Sequence, residues 1–153
     1  MDITWQLKKF EQLTPLQLYG LMQLRAAVFV VEQNCVYQDA DGKDLKSTHL
    51  LGIKPNNEII AYCRILPAGI SFAEVSIGRV VTLKRARRTG AGKELMKQAL
   101  KNAKELYGNV PIRIGAQCYL KKFYTDLGFE AEGEEFLEDN IPHIEMIFAG
   151  NSR

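Results

Sequence analysis

One stretch decides the fold of this chain: residues 80–93, which read VVTLKRARRTGAGK. The stretch begins as an apolar, strand-like run and passes through a basic turn with Gly90 and Gly92 into a helix. The first N–H groups of a helix have no partner within it and carry the positive end of its dipole, so they attract anions. Glycines at this point remove the Cβ atoms that would hold a bound group away. The stretch therefore predicts a site for a phosphate-bearing ligand.

The spacing of these glycines argues against two common nucleotide sites. A Walker loop needs the pattern G-x-x-x-x-G-K-[ST], which is absent, and the G-x-G-x-x-G pattern of a dinucleotide site is incomplete. A basic, glycine-bearing turn is also common before helices that bind nothing. Features elsewhere in the chain must therefore decide between a phosphate site of another kind and an ordinary turn.

Turn residues and apolar periodicity divide the rest of the chain into short elements. A capping box at Thr14 begins a helix that runs to about Val30, and residues 31–46 are polar and are interpreted as a surface loop. Strands are predicted at 3–9, 48–54, 58–66, 73–83, 110–116, 129–136 and 144–148, with further helices at 90–107 and 119–127. The three strands after the loop look like an antiparallel meander.

Composition favours a single domain over residues 1–153. The chain is 46% hydrophobic and 25% charged, which suits one sizeable core, and its net charge of +2 is too small to indicate a nucleic-acid partner. We expect no membrane segment and a cytoplasmic location, because no long apolar run or export signal is present. Three cysteines without C-x-x-C spacing predict free thiols and no metal site.

Two motifs in the right order point to a family. Residues 87–92, RRTGAG, follow a predicted strand and resemble the R/Q-x-x-G-x-G/A acyl-CoA signature of GNAT N-acetyltransferases. Residues 123–129, FYTDLGF, resemble the F/L-Y-x-x-x-G-F segment of the same family. Three further segments, FVVEQ at 29–33, IGRVV at 77–81 and IPHI at 141–144, resemble its ElaA-like branch. The resemblance therefore covers nearly the whole chain.

This resemblance implies an α/β (α+β) fold of the GNAT acyl-CoA N-acyltransferase type. Its sheet is mixed, mostly antiparallel, of about seven strands, flanked by helices and splayed between strands 4 and 5. Acetyl-CoA would be the cosubstrate, without a metal, and a small-molecule or peptide amine would attack it directly in a ternary complex. The implied cofactor-binding residues are Val80, Val81, Thr82, Arg87, Arg88, Thr89, Gly90, Ala91, Gly92, Lys93 and Gln117. The family's frequent asparagine on strand 5 is replaced here, near Ala116 and Gln117.

Acetyl transfer needs a neutral amine, a donor to the oxyanion and an acid for the leaving thiolate. The resemblance gives the acid to Tyr124, although helical spacing alone would make Tyr124 a core residue. It gives the oxyanion donor to a backbone amide near Val81. Three candidates for the general base stay open, namely Glu74, Glu32 and His143, and a water chain to solvent would also serve.

Several alternatives stay open at the level of sequence. Arg64 and Arg79 lie on adjacent predicted strands. They would either bind a carboxylate of the acceptor or form salt bridges within the protein, and we favour salt bridges. The alternative function is that of a non-catalytic CoA-binding regulatory module. A nucleic-acid-binding domain using the basic residues of 84–93 ranks last, because no stacking-aromatic motif accompanies them. The sequence does not distinguish a monomer from a homodimer.

Overall fold

The computed structural model describes residues 2–150 and contains one mixed sheet of seven strands. The contact between the fourth and fifth strands is parallel, and the other contacts in the sheet are antiparallel. The strands are β1 (Thr4–Lys9), β2 (Thr48–Ile53), β3 (Ile59–Leu66), β4 (Val75–Thr82), β5 (Ile112–Gln117), β6 (Glu130–Glu138) and β7 (Ile141–Phe148). Their order across the sheet is β1-β2-β3-β4-β5-β7-β6. The predicted sheet of about seven strands is confirmed.

Three α-helices flank the sheet: α1 (Pro15–Arg25), α2 (Ala91–Tyr107) and α3 (Lys121–Asp126). Helix α1 begins at the predicted capping box, where the Thr14 hydroxyl accepts from the Gln17 backbone N–H at 3.1 Å. The Gln17 side chain in turn accepts from the Thr14 backbone N–H at 3.0 Å. These reciprocal bonds satisfy two N–H groups that the helix itself leaves unpaired, so the start of α1 is encoded locally.

The helix predicted to run to about Val30 changes character after α1. Its path continues through Ala26–Glu32 as a π-helical segment. The Gln33 N–H, for example, donates to the Val28 carbonyl five residues earlier at 3.1 Å. Turns of this kind are rare and are often found at functional sites. The extent of the helix was predicted correctly, but its wider hydrogen bonding was not visible in the apolar spacing.

Strands β4 and β5 separate after a short contact. They pair only at Val75 with Ile112 and at Ser76 with Arg113, although β4 continues to Thr82. Opposite β3, the register of β4 shifts by a β-bulge near Arg79, whose φ of 51° is unusual for a side chain other than glycine. The expected splay between strands 4 and 5 is confirmed, and it leaves a gap in the middle of the sheet.

Both faces of the sheet are covered. Leu50 and Leu51 are neighbours on β2 and belong to two different buried clusters, as the alternation of side chains along a strand requires. On one face, α2 contributes the buried residues Leu95, Met96 and Ala99. On the other face, α1 and the π-helical segment contribute Leu21, Leu24 and Val28. The whole of β3 is buried as a result, which explains its almost continuous apolar sequence.

The segment between the π-helical segment and β2, residues 33–47, is anchored by ion pairs, and we call it the aspartate loop. Arg25 at the end of α1 is fully buried and binds Asp39 at 2.9 Å and Asp44 at 2.6 Å. The other pairs of this network join Arg64 to Asp44 (2.9 Å) and Asp41 (2.7 Å), and Arg79 to Asp39 (2.8 Å) and Asp41 (3.4 Å). Arg64 and Arg79 are therefore salt-bridged within the protein.

The interpretation of this segment as a surface loop is wrong for Asp44, which is only 7% exposed. Burial by itself raises the pKa of Asp44, but the hydrogen bond from Arg25 and the charges of Arg25 and Arg64 outweigh burial and hold the pKa below its ordinary value. A buried carboxylate is tolerated here because arginines from three separate elements neutralise the loop. Local sequence spacing carries no sign of partners so far away in the chain.

Arg25→Met tests this anchoring. The change leaves buried carboxylate charge without its central partner, so we expect a loss of about 3 kcal/mol in the free energy of unfolding. Urea unfolding followed by circular dichroism measures it. Arg85→Met is the matched control, because Arg85 forms an exposed pair with Glu58 that contributes at most about 1 kcal/mol. Equal losses in the two variants would contradict a structural role for the network.

Candidate active site

The gap between β4 and β5 opens into a cavity of about 590 Å³. One wall is formed by the second half of β4, the basic turn and the start of α2. A second wall is formed by β5 and α3, and the third by the π-helical segment, the aspartate loop and the β6–β7 hairpin. Cavities of this size, formed at an irregularity in a sheet, are typical of sites for small molecules and cofactors.

The amino end of α2 faces this cavity and is open. Gly90 is its N-cap and has a φ of 87°, a left-handed conformation that strongly favours glycine. No side chain among residues 2–150 caps the helix, and no atom of those residues lies within 4 Å of the position that a Gly90 Cβ would occupy. The N–H groups of the first turn are therefore free to bind an anion, as the sequence predicts.

Cations surround this helix end, but they are not equally available. Arg87 is held by Glu32 of the π-helical segment, with Nη2 at 3.0 Å from Oε1. That hydrogen bond is the main reason why the pKa of Glu32 lies below its ordinary value. Arg88 and Lys93 line the cavity and form no ion pair within residues 2–150. They are the cations most free to meet a phosphate group.

Most of the predicted cofactor-binding residues reach the cavity wall. Thr89 and Ala91 do not belong to it. The Thr89 hydroxyl donates to the Ala86 carbonyl and closes the turn, and Ala91 is buried behind the wall with Ile60. The predicted residues that line the cavity are Val80, Val81, Thr82, Arg87, Arg88, Gly90, Gly92, Lys93 and Gln117.

Tyr124 of α3 lies at the inner side of the cavity and is 5% exposed. Its ring packs edge-on against Phe123 and Phe129, with centroid distances of 5.1 and 5.7 Å. Its hydroxyl has no hydrogen-bond partner within residues 2–150. Burial raises the pKa of Tyr124 well above its ordinary value, so the hydroxyl carries its proton at neutral pH. The residue belongs to the core, as its spacing predicts, and also to the cavity wall, as the resemblance implies.

His143 of β7 lines the cavity next to the end of β5, opposite Gln117 in the strand register. Its Nδ1 lies 2.6 Å from the Ile141 carbonyl oxygen. A carbonyl can only accept, so Nδ1 carries the hydrogen and the neutral ring has its lone pair on Nε2. That Nε2 lies 3.6 Å from the carboxylate of Glu138. This arrangement leaves Nε2 able to accept a proton.

The other two base candidates are placed less favourably. Glu74 precedes β4 at the end where β4 and β5 are still paired, so it lies outside the cavity wall. Both of its oxygens accept from Arg113, each at 3.0 Å. That hydrogen bonding lowers the pKa of Glu74. Glu32 does reach the cavity, but Arg87 holds its carboxylate.

Two residues of the cavity wall, Gln33 and Tyr37, were not predicted as site residues from the sequence. Gln33 and Gln117 exchange reciprocal amide hydrogen bonds of 3.3 Å across the cavity. Tyr37 of the aspartate loop donates to Asp39 at 2.8 Å, and the guanidinium of Arg79 lies 5.5 Å from the centre of its ring. The only signal for Gln33 was its place in the FVVEQ segment, and Tyr37 had none, because its position depends on the buried ion pairs.

Some kinds of site are not found in the described part of the chain. No three His, Cys, Asp or Glu side chains among residues 2–150 are grouped so as to hold a metal ion. No helix within that range has the length and apolar character needed to span a bilayer. Cys35, Cys63 and Cys118 are free thiols. Burial raises the pKa of Cys63, which keeps that thiol protonated and unreactive.

Sequence comparison identifies the family. The family model for the acetyltransferase (GNAT) domain matches residues 16–149. The chain is 44% identical over 146 residues to Protein ElaA of Escherichia coli strain K12, and this alignment covers 94% of the chain and 95% of that protein. The chain therefore belongs to the GNAT acetyltransferase family, within its ElaA-like branch. It is an acyltransferase of a family that uses CoA-linked acyl donors.

Solved structures agree with this assignment. An acyl-CoA N-acyltransferase from Pseudomonas aeruginosa has a TM-score of 0.90 and 42% identity, with 97% of this chain and all of that chain covered. Escherichia coli ElaA has a TM-score of 0.89 and 43% identity, with 95% and 99% covered. An aminoglycoside 6'-N-acetyltransferase complexed with coenzyme A shares the fold at 16% identity and a TM-score of 0.72, with 97% and 98% covered.

Gly92→Leu tests the helix end as a phosphate site. A Cβ at Gly92 would meet Thr82 at 3.8 Å and Phe123 at 3.9 Å, which are ordinary contact distances, so we expect the protein to fold. The longer side chain would occupy the space in front of the free N–H groups and should abolish CoA binding, measured by calorimetry. Lys97→Leu, an exposed position on the same helix, is the control. Similar affinity in both variants would contradict the assignment.

Proposed function

We propose that this protein transfers the acetyl group of acetyl-CoA to a primary amine by direct attack in a ternary complex. One observation carries the proposal: the open end of α2 and Tyr124, whose hydroxyl has no hydrogen-bond partner in residues 2–150, line the same cavity between the splayed strands. The first feature suits a diphosphate and the second a leaving thiolate. Membership of the GNAT family and the shared fold of an enzyme complexed with coenzyme A support the same cosubstrate.

The cofactor would bind along one side of the cavity. Its diphosphate would accept from the first-turn N–H groups of α2, with Arg88 and Lys93 supplying positive charge. Its pantetheine arm would lie along β4 at Val80–Thr82, where β5 has already left the ladder. Backbone N–H and C=O groups on that edge need partners, and an amide-bearing chain can supply them as an added strand would.

The reaction would then use three groups of this chain. His143 Nε2 takes a proton from the amine, whose nitrogen attacks the thioester carbonyl. A backbone N–H near Val81 donates to the oxyanion of the tetrahedral intermediate. As the carbon–sulfur bond breaks, the Tyr124 hydroxyl gives its proton to the leaving thiolate, so the products are the N-acetyl amide and free CoA thiol.

Tyr124→Phe tests the acid. The change removes one oxygen from a hydroxyl without a hydrogen-bond partner in residues 2–150, so we expect little effect on the fold. With an accepted amine, kcat should fall about 100-fold while acetyl-CoA affinity by calorimetry is nearly unchanged. Tyr119→Phe is the control, because Tyr119 lines the same cavity but is 73% exposed. A normal kcat for Tyr124→Phe would remove Tyr124 from this role.

Substitution of each base candidate shows whether His143 or Glu74 is the general base. His143→Gln should lower kcat about 100-fold or more, since a neutral amide is too weak a base to take the amine proton. Glu74→Gln should leave kcat unchanged and weaken only the ion pair with Arg113. Steady-state kinetics with saturating acetyl-CoA measures both. An unchanged kcat for His143→Gln together with a lowered kcat for Glu74→Gln would contradict His143 as the base and favour Glu74.

The two other functions considered for this chain have less support. The basic stretch is partly neutralised, since Arg85 binds Glu58 and Arg87 binds Glu32, which reduces its charge toward a nucleic acid. A CoA-binding module without turnover would have no use for a buried hydroxyl and an imidazole facing one cavity. Binding of acetyl-CoA without release of thiol in the presence of any amine would favour that module over an enzyme.

A further inference from the structure

The cavity wall carries charges of both signs, and they come from different elements of the fold. Arg88 and Lys93, which lack ion pairs within residues 2–150, lie at the amino end of α2. The rim formed by the β6–β7 hairpin carries Glu138 and Asp139. Arg79 is a cation of the cavity wall and lies on the part of β4 that has separated from β5. Its guanidinium is already bound to Asp39 and Asp41. The rim at the hairpin is therefore acidic.

The acidic rim is held in place by several contacts. Asp139 and Asn140 form the tight hairpin turn, with φ values of 51° and 64°. The Asp139 carbonyl accepts from the Cys35 thiol at 3.5 Å, which ties the hairpin to the aspartate loop. The Glu138 carboxylate lies 3.6 Å from His143 Nε2. The Glu138 carboxylate therefore lies close to the nitrogen that we assign as the general base, and Asp139 follows it in the same turn.

A second feature of the cavity points to a ligand independently of these acids. Tyr124 is 95% buried, lines the same cavity and has a hydroxyl without a partner in residues 2–150. The ring is buried but the hydroxyl borders the cavity, so a molecule bound in the cavity can supply the hydrogen-bond partner that the protein does not. In the proposed reaction this partner is the leaving thiolate, while Glu138 of the rim lies beside the base His143.

The charge state of the acceptor decides what the rim can recognise. The nitrogen that attacks must be neutral, so after His143 takes its proton this nitrogen no longer interacts with a carboxylate as a cation. The negative charge of Glu138 and Asp139 can then favour only a second group that is still protonated. An acceptor with a carboxylate would be repelled here, because Arg79 is already neutralised by the aspartate loop.

We propose that the acceptor is a small diamine or polyamine, with one nitrogen at His143 and a second, protonated nitrogen held by Glu138 and Asp139. This inference rests on the proposed acetyltransferase function. A small acceptor is favoured over a basic peptide because the Cys35 contact to the hairpin and the amide pair of Gln33 with Gln117 both narrow this side of the cavity. A slender aliphatic chain fits such an entry.

Three amines of similar length test the proposal: 1,5-diaminopentane, n-pentylamine and 5-amino-1-pentanol. With saturating acetyl-CoA, thiol release should give a kcat/KM for the diamine about tenfold above those of the other two at low salt. The advantage should shrink as ionic strength rises, because charges near the surface are screened over about 10 Å at 0.1 M salt. Equal kcat/KM for all three amines would overturn the diamine proposal and leave the proposed function intact.

Matched charge variants locate the effect. In a Glu138→Gln, Asp139→Asn variant, the ratio of diamine to monoamine kcat/KM should fall to near one. A Glu130→Gln, Glu134→Gln variant removes the same charge from exposed positions of β6 outside the cavity wall and should keep the wild-type ratio. The assignment would be overturned if the Glu138→Gln, Asp139→Asn variant kept the wild-type ratio. It would also be overturned if a lysine peptide had a higher kcat/KM than every diamine. No thiol release with any amine, despite acetyl-CoA binding, would instead overturn the proposed function itself.

Discussion

Two residue pairs hold β4 and β5 together, and the two strands separate beyond these pairs. The candidate active site depends on that separation. Beyond Ser76 the backbone groups on the facing edge of β4 lose their ladder partners. Unpaired N–H and C=O groups in the middle of a sheet are costly unless water or a ligand satisfies them. The separation therefore creates both a cavity and a strand edge that can accept an extended, amide-bearing chain. The helix that follows β4 then directs its free N–H groups into the same space.

The part of the cavity wall formed by the aspartate loop is held in place by ion pairs and not by strand pairing. The aspartate loop is long and polar and makes no regular secondary structure over most of its length. Its position is set by the buried network of arginines and aspartates, with Arg25 at the centre and Arg64 and Arg79 contributed by adjacent strands. Removal of one member would expose the others to an uncompensated charge in a place with little water. We infer that the network keeps Tyr37 and Cys35 at the cavity wall.

Charge neutralisation within the protein also narrows the choice of chemistry. Several charged residues considered for the site are bound within the protein: Arg87 and Glu32 pair with each other, Glu74 with Arg113, and Arg79 with the aspartate loop. The cavity wall also contains Arg88 and Lys93 without ion pairs in residues 2–150, the carboxylates of Glu138 and Asp139, and the side chains of His143 and Tyr124. An anionic cosubstrate and a cationic acceptor would meet at the centre of this arrangement.

The sequence by itself determined the family, the number of strands and their order along the chain, the capping of α1 and the glycine-bearing turn before α2. These features are encoded by neighbouring residues: periodicity, cap residues and glycines act within a few positions, so a linear pattern reports them. Only the tertiary structure decided that Asp44 is buried, that Glu74 lies away from the cavity, and that His143 Nε2 faces Glu138. Each of these depends on charges and carbonyls brought together from distant parts of the chain, and the energy of such contacts is set by distance in space and by burial, which residue spacing does not encode.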